Sequence, residues 1–106
     1  MGCYKYAFTA LATSDIDEAL AYISDNLKNN AATRALYNQL IEALNNACEF
    51  PMMYPSCEIY LVYDENIRHA SVGNYSLIYE VCNDKKELHV LRFLYQKVDI
   101  GNTELK

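Results

Sequence analysis

Polar side chains gather at the end of the last predicted strand, inside and just after an apolar run. Arg92 lies within that run, and Tyr95, Gln96 and Lys97 follow it. These groups are two cations, a phenol and an amide, which together suit the binding of an anion such as a phosphate. Arg68, on an earlier predicted strand, is a further cation that could join them. The candidate site residues are therefore Arg92, Tyr95, Lys97 and Arg68.

Each of the two arginines also has an ordinary structural interpretation. Arg92 could form an ion pair with Glu80 or Glu87 across a hairpin, an interaction that contributes about 0.2 to 1 kcal/mol in a sheet. Arg68 could be a solvated surface residue, which is the usual state of an arginine beside a loop. The residues by themselves leave these alternatives open.

Histidines and cysteines supply no obvious second site. His69 and His89 are expected to occupy ordinary strand positions, and neither is expected to have a cysteine or aspartate partner. The cysteines show no Cys-x-x-Cys pair and no zinc-type spacing with histidine. We therefore expect reduced thiols, no metal and no cofactor. The four cysteines are Cys3, Cys48, Cys57 and Cys82.

A predicted β-hairpin positions the candidate site. Its strands cover residues 75–82 and 87–95, which are rich in aromatic and branched side chains, and residues 83–86 form the turn. Side chains alternate between the two faces of a strand. We therefore expect Leu91 and Phe93 to point under the helices. Val90, Arg92 and Leu94 are expected on an uncovered face.

The preceding residues predict the elements that cover this hairpin. Residues 3–8 alternate as a short strand, and Ser14 is the expected N-cap of a first helix, with Asp15 in its first turn. A second helix is expected to end at Glu49, because Pro51 prevents continuation. Residues 67–72 form another predicted strand, whereas 58–63 fit a strand or a helical turn. The predicted order is β-α-α-β-β-β, an α+β fold with a helical hairpin on one face of a mainly antiparallel sheet.

Composition restricts the class of protein. The chain has 106 residues, of which 52% are hydrophobic, and it contains only three glycines and two prolines, so a disordered chain is excluded. No run approaches the ~20 apolar residues of a membrane span. We expect one cytoplasmic domain over residues 1–106, with 100–106 as a flexible tail. The net charge of −5 argues against a broad nucleic-acid-binding face, although a local anion pocket remains compatible with it.

Two blocks of sequence resemble a known family. Residues 92–99, RFLYQKVD, are similar to the closing strand of the RelE/ParE superfamily of bacterial toxins, where Arg-x-Leu-His-x-Arg-x-Asp is typical. Residues 68–81, RHASVGNYSLIYEV, resemble the family's arginine, its Val-Gly-Asn-Tyr and its aliphatic-tyrosine pair. The two blocks come in the family's order and at its spacing. The resemblance implies the toxin of a type II toxin-antitoxin module, neutralised by a cognate antitoxin.

The resemblance also bears on the target of the toxin. Members of the RelE type cleave messenger RNA on the ribosome, but here Tyr95 replaces the family's usual histidine and Ser71 stands where a basic residue is common. A tyrosine with an ordinary pKa near ~10 is a poor base at neutral pH but a possible acid. The long helical hairpin and the strand ending are nearer to the ParE branch. That branch implies inhibition of DNA gyrase by protein contact, with an RNA-cleaving enzyme or a non-toxic antitoxin-binding relic as the alternatives.

Overall fold

Four strands and two helices make up the parts of the chain that the computed structural model describes, which are residues 4–26, 30–54 and 66–95. The sheet order is β1-β4-β3-β2, with β1 parallel to β4 and the other pairs antiparallel. The predicted α+β fold with a mainly antiparallel sheet is thus confirmed. The elements are β1 (Lys5–Phe8), α1 (Ala10–Ala21) continued by a π-helical turn (Tyr22–Asn26), α2 (Asn30–Glu49), β2 (Ile67–Val72), β3 (Tyr75–Cys82) and β4 (Glu87–Tyr95).

The two helices cover one face of the sheet, as the sequence predicts. Apolar residues recur at helical spacing on α2 and at alternate positions on the strands, so both elements present a continuous apolar surface. The helix ends at Glu49, just before Pro51. The resulting core contains Ala12 and Ala19 of α1, Leu36, Leu40, Ala43 and Leu44 of α2, and Ala70, Val72, Leu77, Val90 and Phe93 of the sheet.

Helix α1 begins earlier than predicted. Its N-cap is Thr9, whose hydroxyl oxygen accepts a hydrogen bond from the amide of Ala12 at 3.1 Å, so the prediction of Ser14 as the cap is wrong. Threonine caps a helix almost as well as serine, and the intervening residues include alanine and leucine, which favour helix. The earlier start places Asp15 in the second turn of α1, facing β4.

A β-bulge in β4 changes which residues face the helices. Ile78 pairs with Arg92 and Tyr79 pairs with Val90, so Leu91 has no partner on β3. Because the extra residue shifts the alternation, Val90 packs under the helices and Leu91 packs on the opposite face. The predicted faces of these two residues are therefore wrong, whereas Phe93 lies under the helices as expected.

The face opposite the helices is also less open than predicted. Four apolar side chains on this face form their own cluster and are at most 9% exposed. The cluster consists of Ile67, Ile78, Leu91 and Leu94.

Several predictions fall outside the described residues. These are the helix-helix link, the ambiguous segment 58–63, the tail 100–106, Lys97, Cys3 and Cys57. Within the described ranges, neither helix is long and apolar enough to cross a membrane.

Candidate functional site at the end of the sheet

The start of α1 closes the exposed edge of β4. Strand β1 pairs with β4 only as far as Val90, so the rest of that edge needs other hydrogen-bond partners. Thr9 supplies two of them, because its amide donates to the Val90 carbonyl at 3.1 Å and its hydroxyl donates to the Leu91 carbonyl at 3.1 Å. Asp15 supplies a third by accepting from the Phe93 amide at 3.1 Å. Between Val90 and Phe93 these three edge groups are thus paired with the first two turns of α1 and its N-cap instead of a strand.

Arg92 is bound by the same carboxylate. Its Nε donates to Asp15 Oδ2 at 2.6 Å and its Nη2 donates to Oδ1 at 3.0 Å, which is a bidentate pair. The two side chains are only 14% and 11% exposed. The prediction that Arg92 faces solvent is therefore wrong. The alternative prediction of an ion pair with Glu80 or Glu87 is also wrong, because the partner is Asp15 on α1. The charge of Arg92 is neutralised where it was expected to attract an anion.

Arg68 lies at a different place in the sheet. It is on the edge strand β2, and β3 separates that strand from β4. Its Nη1 donates to the carbonyl of Tyr54 at 3.0 Å and to that of Met52 at 3.5 Å. The structure therefore does not bring Arg68 and Arg92 together, and Lys97 lies beyond the described residues. The toxic roles of these three cations stay predictions.

Three aromatic rings surround the end of β4. Tyr75 stacks on Phe93 with ring centroids 4.9 Å apart, and Tyr95 meets Tyr75 edge to face at 5.5 Å. Burial is the main cause that raises the pKa of Tyr75, and the nearby phenols of Tyr95 and Tyr22 raise it further. Tyr75 is therefore a neutral hydrogen-bonding group at neutral pH. Tyr95 is 42% exposed, so its ring and hydroxyl can reach a partner.

An acidic cavity lies between these rings and α1. Its volume is about 540 Å³. Three carboxylates from α1 and the following turn line it, and none of its lining residues within the described ranges is an arginine or a lysine. Such a cavity repels phosphate and favours a cationic or apolar side chain of another protein. The polar lining residues are Asp15, Glu18, Asp25, Tyr22, Tyr75 and Tyr95.

The sequence analysis did not predict that Asp15 binds Arg92 and the Phe93 amide. It placed this residue in the first helical turn as a group favoured by the helix dipole. The predicted β1, residues 3–8, is three residues shorter than the predicted β4, residues 87–95, so pairing of these two strands would leave part of the β4 edge without a strand partner. An acidic residue shortly after β1 is then a natural partner for that edge.

The histidine prediction also needs correction. His89 Nδ1 lies 3.4 Å from Cys82 Sγ, and His89 Nε2 lies 3.1 Å from Glu87 Oε1. His89 therefore has the cysteine partner that the sequence analysis did not expect. Its signal was available in the hairpin, where alternate residues on paired strands share a face.

A family of known proteins matches most of this chain. The family model for "ParE toxin of type II toxin-antitoxin system, parDE" matches residues 6–100. The chain belongs to the ParE toxin family. It is thus a toxin of the type II toxin-antitoxin class. A comparison with curated protein sequences gives no significant match.

Two solved structures have the same fold as this ParE-family chain. The toxin-antitoxin complex RelBE2 from Mycobacterium tuberculosis has a TM-score of 0.56 and 17% sequence identity, covering 88% of this chain and 98% of that chain. The chromosomal ParDE TA system from P. aeruginosa has a TM-score of 0.62 and 17% identity, covering 90% of this chain and 98% of that chain. At this identity the likeness establishes the fold. The predicted RelE/ParE superfamily is confirmed by the family match together with this fold.

Proposed function

We propose that this ParE-family toxin inhibits DNA gyrase by direct protein contact and is held inactive by a cognate antitoxin. The observation that carries the proposal is the acidic and aromatic character of the cavity at the end of β4. Glu18 and Asp25 give this cavity a negative charge, since the carboxylate of Asp15 is paired with Arg92, and Tyr95 offers an exposed ring beside it. Tyrosine is enriched in the central contacts of protein interfaces.

Cleavage of messenger RNA would need a different arrangement of charge. A ribonuclease of this kind needs cations over the scissile phosphate, together with a base and an acid for proton transfer. Here the Arg92 guanidinium is bound by Asp15, and two further carboxylates, Glu18 and Asp25, line the adjacent cavity. The net charge of the whole chain is −5. These features disfavour a phosphate ligand and favour a protein target.

The antitoxin part of the proposal rests on the edge of the sheet. Both structural neighbours come from toxin-antitoxin systems. In this chain β1 is an edge strand and all four of its residues are exposed. Tyr6 and Phe8 are 36% and 40% exposed and contact each other at 5.6 Å. An antitoxin segment that adds a strand to β1 would cover these two rings.

The candidate residues take different parts in this proposal. Tyr95 and Lys97 are proposed as direct contacts of the target. Arg92 is proposed to position them, because its pair with Asp15 ties β4 to α1 beside Tyr95. Arg68 is proposed as a contact on a separate part of the surface, since it lies on β2.

The test measures the effect of this protein on two targets, DNA gyrase and messenger RNA on the ribosome. Purified full-length chain should block supercoiling by gyrase and should leave messenger RNA on programmed ribosomes uncut. Tyr95→Ala and Lys97→Ala should each weaken gyrase inhibition. The matched control is Tyr37→Ala, because Tyr37 is similarly exposed, at 49%, but lies on α2.

Two results would reverse the proposal. Ribosome-dependent cleavage that is lost in Tyr95→Phe would make the protein a RelE-type ribonuclease with Tyr95 as its acid. A chain that leaves both targets unaffected yet still binds the product of a neighbouring reading frame would be a non-toxic relic.

A further inference from the structure

Four side chains with metal-binding atoms share one face at the turn end of the β3-β4 hairpin. Glu80 pairs with His89 and Cys82 pairs with Glu87, so they form a two-by-two block. The block lies on the face opposite the helices, because the residues that alternate with it, Tyr79, Val81 and Leu88, pack in the core with α2 residues. This end of the hairpin is remote from Tyr95, at the other end of β4.

We propose that Glu80, Cys82 and His89 bind a zinc ion, with Glu87 orienting the histidine. One ligand atom from each of the first three residues lies within 4.8 Å of the others. Thiolate, imidazole and carboxylate are ligands that zinc accepts in one site, whereas magnesium and calcium require oxygen ligands almost throughout.

The sulfur-nitrogen distance fits a tetrahedral zinc site. Zinc lies about 2.3 Å from sulfur and about 2.0 to 2.1 Å from nitrogen, so tetrahedral geometry separates the two ligand atoms by about 3.6 Å. The Cys82 Sγ to His89 Nδ1 distance is 3.4 Å. Glu80 occupies the strand position directly opposite His89. Its carboxylate oxygen lies within 4.8 Å of the other two ligand atoms, and rotation of the flexible side chain would bring this oxygen close enough to bind the same zinc ion.

Glu87 gives the histidine the orientation that a metal requires. Its Oε1 lies 3.1 Å from His89 Nε2. A proton on Nε2 would be donated to this carboxylate, which leaves the lone pair of Nδ1 directed toward Cys82. Carboxylates hold metal-bound histidines in this way, and they raise the affinity of the site.

The site also has access to solvent and room for a fourth ligand. A surface depression of about 370 Å³ is lined by Cys82, His89 and residues of the turn. The three proposed ligands are half-buried. Zinc binding would release the thiol proton of Cys82 to solvent, form the Zn–S bond and leave one position for water.

The experiment uses purified full-length chain with zinc or cobalt(II) as the probe. One equivalent of Co²⁺ should bind and give the thiolate-to-cobalt charge-transfer band together with tetrahedral d–d bands, and Zn²⁺ should displace it. Cys82→Ser should abolish the charge-transfer band. His89→Gln and Glu80→Gln should change the d–d bands and weaken zinc binding, and Glu87→Gln should weaken it by about 10- to 100-fold.

Matched controls use residues of the same type outside the block. Cys48→Ala removes a buried cysteine of α2, and His69→Gln removes the other histidine of the chain, on β2. Neither control should change the cobalt spectrum. Circular dichroism of each variant checks the fold, and His89→Gln carries the test if Cys82→Ser does not fold.

Two outcomes would overturn the zinc site. One is zinc binding that is equally strong in Cys82→Ser and His89→Gln, which would indicate adventitious binding elsewhere. The other is no binding together with fast, His89-dependent alkylation of Cys82 by iodoacetamide, which would indicate an activated thiol. Neither measurement involves gyrase or an antitoxin, so their result is independent of the proposed function.

Discussion

At the scale of single residues, the role of Arg92 depends on its ion pair with Asp15. A guanidinium at a strand end suits an anionic ligand when it faces water, but here Asp15 binds it with two hydrogen bonds and also accepts from the Phe93 amide. The carboxylate therefore connects a side chain and a backbone group of β4 to α1. Arg92 is tied to the stability of the sheet edge before any contact with a target is considered.

Removing either member of this pair should destabilise the fold. Arg92→Ala leaves the Asp15 carboxylate nearly buried without its counter-ion, and Asp15→Ala removes the carboxylate that accepts from the guanidinium and from the Phe93 amide. Loss of one partner of a buried pair costs about 3 to 5 kcal/mol, so a loss near the lower end is expected for this partly exposed pair. Urea unfolding followed by circular dichroism measures it.

The controls separate this pair from general charge effects. Asp17→Ala removes a neighbouring exposed carboxylate of α1 and should change the free energy of unfolding by less than about 0.5 kcal/mol. The double variant Asp15→Ala with Arg92→Ala should lose less than the sum of the single losses. Additive losses would show that the two side chains are not energetically coupled.

Tyr79 provides a prediction about alkaline pH. Its ring is fully buried, and its hydroxyl donates to the Pro51 carbonyl at 2.9 Å. Burial raises the pKa of Tyr79 well above its ordinary value, partly offset by the nearby charge of Arg68. The neutral phenol is thus favoured in the folded state. Its contribution to stability is complete below pH about 10 and is lost as the pH rises above that value.

Tyr79→Phe should therefore have a pH-dependent effect. At pH 7 it should destabilise the protein by about 1 kcal/mol, because the Pro51 carbonyl loses its donor. Above pH about 10 the variant should lose stability less steeply than the original protein. Urea unfolding across this pH range measures both effects. Tyr37→Phe, which removes an exposed tyrosine hydroxyl of α2, is the matched control.

At the scale of elements, short connections and irregularities decide which side chains meet. The bulge at Leu91 exchanges the faces of two neighbouring residues within β4. The brevity of β1 leaves room for α1 to contact the β4 edge. The turn between β2 and β3 brings Gly73 against α2, because its φ is +60° and an added Cβ would lie 3.3 Å from Gln39 Oε1.

Gly73→Ala should destabilise the sheet at this turn. An L residue is strained at this positive φ by about 1 kcal/mol, and the contact with Gln39 adds to that strain. The free energy of unfolding should fall by about 1 to 2 kcal/mol. Adding Gln39→Ala should recover only the steric part, and Asn74→Ala in the same turn, where φ is not positive, is the control. An unchanged midpoint in Gly73→Ala would contradict this account of the turn.

At the scale of the whole molecule, the proposed target surface and the proposed antitoxin surface are separate. The acidic cavity lies between the end of β4 and α1, whereas Tyr6 and Phe8 lie on the outer edge of the sheet. The chain has 14 acidic and nine basic residues, and such an excess of negative charge favours a basic partner. Variants at the two surfaces should therefore affect toxicity and neutralisation differently.

Expression in the bacterial host tests this separation. The chain expressed alone should slow growth, and co-expression of the neighbouring reading frame should restore it. The double variant Tyr6→Ser with Phe8→Ser should stay toxic but lose neutralisation, because it removes the exposed rings of β1. Tyr95→Ala should show the converse behaviour. Accumulation of folded protein without a growth defect would count against toxicity in this host.

The amino-acid sequence alone was sufficient for the order of the elements and for the family. The alternation in β2 and β3, the helical spacing in α2 and the stop before Pro51 are local properties, which is why their bounds agree closely with the structure. The motifs around Arg68 and Arg92 likewise led to the toxin superfamily before any contact was known.

Only the tertiary structure decided what each polar group does. Asp15 and Arg92 are 77 residues apart in sequence, and the bulge that exchanges the faces of Val90 and Leu91 has no local signature in its apolar residues. The predicted hairpin already places Cys82, Glu87 and His89 on paired strands, but the contacts between their side chains came only from the structure. Charge pairing depends on distances of a few ångströms between elements, whereas helices and strands follow from periodicity along the chain. For that reason the sequence determined the fold of this toxin, while its pairing of charges required the folded structure.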